Sequence, residues 1–317
     1  MQPVFKNSRA IASRSDLLAS IGNTPLFRLR NIARELHTGI ELYVKAEHMN
    51  PGGSVKDRAA LAMIQDGEQS GALASDKTII DATSGNTGIA YAMIGAFLGY
   101  PVSLCIPANA SSERKNILRA YGAKVIETNP AESTDGAQRH ARELAANEPE
   151  KYFYPDQYNN HANWRAHYSH TGAEIFEQTN GRVTHFLAGL GTTGTFVGTS
   201  RRLKECDPRI KVIAAHPDSP MHGLEGMKHL KSALVPGIYD PNLADINIDV
   251  STDDALEMAA RLGHEEGLLV GPSSGANVWS ALKLARTLSP GSVVVTILCD
   301  RGERYFSHSF RKESQKK

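Results

Sequence analysis

Short apolar runs rich in β-branched residues recur along this 317-residue chain, and most lead through a glycine- or hydroxyl-bearing turn into a stretch with helical spacing. Segments 41–47 (ELYVKAE), 77–82 (KTIIDA), 101–107 (PVSLCIP), 124–128 (KVIET), 183–189 (VTHFLAG), 211–217 (KVIAAHP) and 292–300 (SVVVTILCD) read as strands. GIAYAMIGAFLG and DALEMAARLGHEEG carry the helical period. Strands joined through helices need crossover connections, so the predicted class is α/β, with mainly parallel sheets covered by helices on both faces. At roughly 150 residues per domain the length suits two domains, and the polar stretch near 145–155 (ANEPEKYFYP) is the predicted crossing between them.

Charge and cysteine usage narrow the partners. Lys plus Arg number 35 against 34 Asp plus Glu, a net charge of +1, so no bulk field draws the chain to nucleic acid or an anionic membrane. Cys105, Cys206 and Cys299 are too few and too widely spaced for a disulfide framework or a metal cluster, which fits a reducing compartment. The first twenty residues lack the apolar core of a secretory signal, no run approaches the length of a bilayer span, and the last residues (RKESQKK) read as a polar tail. A cytoplasmic protein is the expectation.

Ligands of α/β folds collect where strands end and helices begin. Five turns of this chain fall there. Asn50-Pro51-Gly52-Gly53-Ser54-Val55-Lys56 puts a lysine on the first turn of a helix, where the dipole disfavours its ammonium form and favours the amine that Schiff-base chemistry needs. A solvated surface lysine is the plain alternative. Thr83-Ser84-Gly85-Asn86-Thr87-Gly88 offers hydroxyls, a carboxamide and backbone amides to a carboxylate, or is a capped turn. Gly189-Leu190-Gly191-Thr192-Thr193-Gly194-Thr195 has the makings of a phosphate cradle, without the lysine of a P-loop. Gly271-Pro272-Ser273-Ser274-Gly275-Ala276 and Cys299-Asp300-Arg301-Gly302-Glu303-Arg304-Tyr305 complete the set.

GNTPL at 22–26, NPGGSVKDR at 50–58, TSGNTG at 83–88, GLGTTGT at 189–195 and PSSGA at 272–276, in this order, resemble the cysteine synthase and cystathionine β-synthase family of pyridoxal-phosphate enzymes over nearly the whole chain. CDRGERY at 299–305 is more similar to the B-type cysteine synthases than to the A type. The resemblance implies the fold of type II pyridoxal-phosphate enzymes: two three-layer α/β domains, 1–47 with 152–317 and a smaller mobile 48–151, with the cofactor in the cleft between them.

By the family's pattern Lys56 would hold pyridoxal 5'-phosphate as an internal aldimine. Gly191, Thr192, Thr193, Gly194 and Thr195 would bind its phosphate, Asn86 the ring hydroxyl and Ser273 the ring nitrogen. A hydroxyl at that nitrogen, in place of a carboxylate, makes the ring a weaker electron sink and favours β-elimination over transamination. Thr83, Ser84, Asn86, Thr87 and Gln157 would take the substrate carboxylate. Lys56 would then remove the α-proton, an activated serine would lose its β-substituent to give an α-aminoacrylate, and sulfide would add to form cysteine. The family's usual homodimer is the expected assembly.

His216-Pro217-Asp218 stands where the family often has Glu-Pro, which opens the choice of donor. O-acetylserine needs no cation at its leaving group and is favoured; O-phosphoserine would need one from Lys228, Lys231 or His222. Cystathionine β-synthase is the neighbouring reading, and a silent relative that binds an amino acid or a partner is the reading from another class. Cys299, ending an apolar run, reads as a small buried hydrophobe. His161, His167 and His170 lack the further ligands of a metal site.

Overall fold

The most apolar run of the sequence lies inside the larger of two sheets. In the computed structural model, which describes residues 17–83 and 85–306, the elements alternate as the α/β pattern requires. They are β1 (Leu26–Arg28), β2 (Glu41–Lys45), α1 (Lys56–Gln69), β3 (Thr78–Ala82), α2 (Asn86–Leu98), β4 (Val102–Pro107), α3 (Ser112–Ala120), β5 (Lys124–Thr128), α4 (Ser133–Asn147) and β6 (Tyr152–Phe153). The second part adds α5 (His161–Ala166), a π-turn (His167–Gly172), α6 (Ala173–Gln178), β7 (His185–Gly189), α7 (Gly194–Cys206), β8 (Lys211–Pro217), β9 (Ile246–Val250), α8 (Thr252–Glu266), α9 (Pro272–Ala285) and β10 (Val293–Ile297). The amino-terminal segment and polar tail weighed above fall mostly on residues outside those described.

The larger sheet has the order β1-β2-β10-β7-β8-β9, parallel except for β1 against β2, and the smaller β5-β4-β3-β6 is parallel throughout. Every residue of β10 and of β4 is buried, because helices cover both faces of a parallel sheet. Tyr152–Phe153, which the expected boundary places with the larger part, instead pairs with β3 in the smaller sheet. In the small sheet the strand order reverses beside β3, and in the large sheet it reverses between β7 and β10. These reversals leave crevices at the carboxyl ends of those strands, and the chain places 83–88 after β3, 189–195 after β7 and 299–305 after β10.

A neutral set of four buried charges fixes the helix that begins at Lys56. The Arg58 guanidinium donates to Glu47 (2.7 and 2.8 Å) and to Glu174 (2.6 and 2.7 Å), bidentate on both sides. Lys45 Nζ donates to Glu174 at 2.6 Å, to the Thr24 carbonyl at 2.6 Å and to Gln178 at 2.9 Å, which uses its three protons. Burial pulls the Glu174 carboxyl upward, but Arg58 and Lys45 outweigh it and hold it at about 2. The Gly22–Thr24 segment folds onto this set: Asn23 N donates to Glu174 and Thr24 Oγ1 to Glu47. Gly22 has φ +97°, and a Cβ there would stand 2.9 Å from Arg58 Nη1. The GNTP motif is therefore architecture.

Arg58→Met should cost about 3–5 kcal/mol of unfolding free energy, because Glu47 stays buried without its cation while Glu174 keeps only Lys45. Denaturant melts measure it, and a loss below about 1 kcal/mol, the size of an exposed pair, contradicts the assignment.

Candidate active site

Both crevices open into one cavity of about 570 Å³ between the sheets. Lys56, Thr83, Asn86, Thr87, Gln157, Gly191, Thr192, Thr193, Thr195 and Ser273 all line it. Of the other expected site residues, Gly194 lies at the start of α7, and Ser84 is outside the described residues.

Lys56 is the first residue of α1, and its loop is stitched to the strand after β10: Val55 N donates to the Cys299 carbonyl at 2.8 Å and Ser54 bridges Asp300. The ammonium pKa lies below the ordinary lysine range, chiefly because burial disfavours the charged form, with Cys299 and Asp300 opposing weakly. Helix position alone suggested this shift in the sequence; burial is the larger cause. The result is an amine more available as a nucleophile near neutral pH.

The turn after β7 has the form of an anion cradle. Thr193 sits at φ +71° and is 2% exposed, yet its Oγ1 finds no hydrogen-bond partner among the described residues. A buried hydroxyl without a partner is expensive, so a ligand oxygen is its natural complement. The turn leads into α7, whose first amides point the same way. A Cβ at Gly191 would lie 2.0 Å from the Gly226 carbonyl, and one at Gly194 2.0 Å from Asn163 Oδ1, so only glycines fit. Thr192 Oγ1 accepts from Asn163 Nδ2 at 3.1 Å, and Thr195 Oγ1 meets His167 Nε2 at 3.3 Å. His167 stands on the π-turn, its Nδ1 2.9 Å from Thr171 Oγ1, and burial drives its pKa to about 3, so it works as a neutral ring. The cradle suits a phosphate monoester.

Across the cavity, Thr83 Oγ1 accepts from Gly85 N and Gly88 N at 3.1 and 3.3 Å, closing the turn into α2. Thr87 Oγ1 donates to Gln157 Oε1 at 2.7 Å while Gln157 Nε2 donates to the Ala82 carbonyl at 2.9 Å, which ties the segment after β6 to the carboxyl end of β3. Asn86 Nδ2 donates to Asp300 Oδ2 at 2.6 Å, and Arg304 donates to Asn86 Oδ1. The sequence marked 299–305 as a turn without assigning these contacts.

Ser273 opens α9, and the thiol of Cys299 lies beside it and close to Lys56. Cys299 does pack on the core, but it also lines the cavity, which its reading as a buried hydrophobe missed. Burial pushes its thiol up to about 11, so it stays protonated. His170 turns its Nδ1 to the Ala166 carbonyl of its own helix, away from His167.

At the mouth, Lys228 Nζ is 3.3 Å from Asp135 and 4.7 Å from the Tyr158 ring centroid, and Arg114 pairs with Glu225. His222 reaches the mouth with its pKa lowered, mainly by burial, and its Nδ1 accepts from Leu224 N at 3.1 Å. Lys231 is exposed and does not line the cavity.

A sheet-and-crevice fold with a half-buried lysine lining one cavity with an anion cradle defines a class. The profile of the pyridoxal-phosphate dependent enzymes matches residues 17–300, and the chain belongs to that family. It is 50% identical over 299 residues to a cysteine synthase of Aquifex aeolicus (strain VF5), covering 93% of this chain and 91% of that one. It is 42% identical over 293 residues to cysteine synthase B of Escherichia coli (strain K12), covering 92% and 95%. Among solved structures, a cysteine synthase from Entamoeba histolytica superposes with a TM-score of 0.89 at 34% identity, over 98% of this chain and 94% of that one. An O-acetylserine dependent cystathionine β-synthase from Helicobacter pylori superposes with 0.88 at 36%, over 94% and 98%.

Thr193→Val keeps the shape and removes the unpartnered hydroxyl. The dissociation constant for pyridoxal phosphate, measured by fluorescence titration, should rise about tenfold; an unchanged constant would remove Thr193 from the cradle.

Proposed function

We propose that the chain is a cysteine synthase that replaces the acetoxy group of O-acetylserine with sulfide, giving L-cysteine and acetate. The observation that carries it is the half-buried, pKa-lowered Lys56 lining one cavity with the cradle around the unpartnered Thr193 hydroxyl. Pyridoxal phosphate, when bound, supplies an electron sink that loosens the bonds at the substrate α-carbon.

The chain's own residues do the rest. Lys56 holds the cofactor, and its amine, freed when the substrate amine takes its place, accepts the α-proton as acetate departs. The amides and hydroxyls of Gly191–Thr195 hold the phosphate. Asn86 hydrogen-bonds the ring hydroxyl. Ser273 presents a neutral hydroxyl to the ring nitrogen and leaves it without a fixed proton. Thr83, Ser84, Asn86, Thr87 and Gln157 take the carboxylate, for which Thr87 and Gln157 exchange the bond they now share. Closure of the smaller domain, 48–151 extended to Phe153, excludes water while the reactive carbon waits for sulfide.

The mouth supports the acetyl donor. Lys228 is neutralised by Asp135, Lys231 lies off the cavity, and His222 is kept from its charged form. A phosphate on the β-oxygen would meet no free cation from these three. In this reading the protein acts as a homodimer in the cytoplasm, in keeping with its three free thiols and balanced charge.

The visible absorbance of the purified protein and its products decide. O-acetylserine with sulfide should change the absorbance and give cysteine at least tenfold faster than O-phosphoserine with sulfide, and serine with homocysteine should give little cystathionine. Faster turnover of O-phosphoserine, or cystathionine as the main product, would reassign the substrate. A protein with no chromophore even after adding pyridoxal phosphate would be a silent binder.

A further inference from the structure

We propose that Arg304, acting with Asp300 and Tyr305, is a positioning clamp that sets the orientation of the Asn86 amide and ties it to the loop that presents Lys56. This rests on the reading of the cavity as the pyridoxal phosphate site. Arg304 donates through one terminal nitrogen to Asn86 Oδ1 and through the other to the Gly52 carbonyl. Asn86 Nδ2 donates to Asp300 Oδ2 at 2.6 Å, and the Tyr305 hydroxyl donates to the same oxygen at 2.5 Å. A guanidinium can only donate, so the amide has one assignment: oxygen toward Arg304, and therefore nitrogen toward Asp300. One Nδ2 proton is used by Asp300. The other remains for a ligand in the cavity that Asn86 lines.

The same guanidinium spans two loops that belong to different helices. Gly52 stands four residues before Lys56 on the way into α1, and Asn86 is the first residue of α2. The loop is shaped around the clamp: Gly53 has φ +80°, and a Cβ there would lie 2.6 Å from Arg304 Nη2. Gly52 N is held from the other side by Asp57 Oδ2 at 2.6 Å. Asp300 is fully buried and its backbone bridges Ser54, while Arg301 Nε donates to the His48 carbonyl at 3.1 Å, so the 300–305 segment is itself anchored to the Lys56 loop. The clamp thereby sets how Asn86 stands relative to Lys56, two residues that in this reading must meet adjacent groups of one small ligand, its ring hydroxyl and the carbon bonded to the lysine. Arg304 on the oxygen and Asp300 on the nitrogen together fix the plane of the Asn86 amide and leave one Nδ2 proton toward the cavity.

The test uses the full-length protein with pyridoxal phosphate, reading the cofactor's dissociation constant and the position of its visible band. Arg304→Met should weaken binding about tenfold and shift the band, with Arg304→Lys, which keeps one charged donor, falling between it and the parent. Because Arg304 acts through Asn86, adding Arg304→Met to Asn86→Ala should cost little beyond Asn86→Ala alone. Additive losses, or a parental band and constant in Arg304→Met, overturn the clamp. Should Arg304→Met fail to fold, Tyr305→Phe removes only the hydroxyl on Asp300; it should move the band in the same direction, and a parental band there overturns the proposal too. If the parent protein takes up no pyridoxal phosphate, it is the reading of the cavity that fails; a normal parent with indifferent variants defeats the clamp alone.

Discussion

Everything in the cavity depends on where one helix begins, and a buried set of two cations and two carboxylates decides that. Arg58 follows Lys56 by two residues, and its planar fork is gripped by Glu47 just beyond β2 and by Glu174 on α6. Such a set is no bargain in energy, because four charges have left water. What it supplies is uniqueness: a bidentate fork has one geometry, so α1 has one position against the larger sheet, and so does Lys56. The set is neutral as a whole, which is why it can be closed off without a counter-ion.

From that anchor the cavity divides into two walls with different work. The turn after β7 and Ser273 stand at the larger sheet, with the loop before Lys56 stitched to it, and in the proposed reading all three hold the cofactor. The turn after β3 belongs to the smaller sheet, and in the same reading it meets the substrate carboxylate and, through Asn86, the ring hydroxyl. Contacts that cross between them include Asn86 to Asp300 and Arg304, Thr87 to Gln157, Arg114 to Glu225 and Lys228 to Asp135. The last three are each built from side chains on separate elements, so they can part and re-form as one wall shifts against the other without disturbing either core. A rigid cofactor wall and a responsive substrate wall are what an enzyme needs if it must admit a substrate and then exclude water from it.

Much of this was legible in the residues. The strands of the two sheet interiors were readable because parallel strands buried on both faces leave continuous apolar runs, as in 292–300 and 101–107. The turns at their carboxyl ends were readable because phosphate and carboxylate recognition draws on a small vocabulary of glycine and hydroxyl residues. What escaped has a physical pattern too. β1, β6 and β9 are short or lie at a sheet edge, and β9 (INIDV) alternates apolar with polar residues and is buried only at Val250, so no continuous run announces them. The ion set escaped because Glu174 lies 116 residues from Arg58, and all four charges look like surface charge until the fold buries them. The role of GNTPL followed from that set, and the grip of Arg304 and Asp300 on Asn86 spans more than two hundred residues. Local pattern reports local chemistry; partnerships closed by topology appear only with the fold.

The central claim is that this architecture exists to present Lys56 as the covalent holder of pyridoxal phosphate. Borohydride reduction of the purified, cofactor-saturated protein, followed by peptide mapping with mass spectrometry, tests it most directly. The account predicts the reduced pyridoxyl label on Lys56 in the peptide that carries NPGGSVKDR, at close to one per chain. A label on another lysine, or none under saturating cofactor, would contradict it.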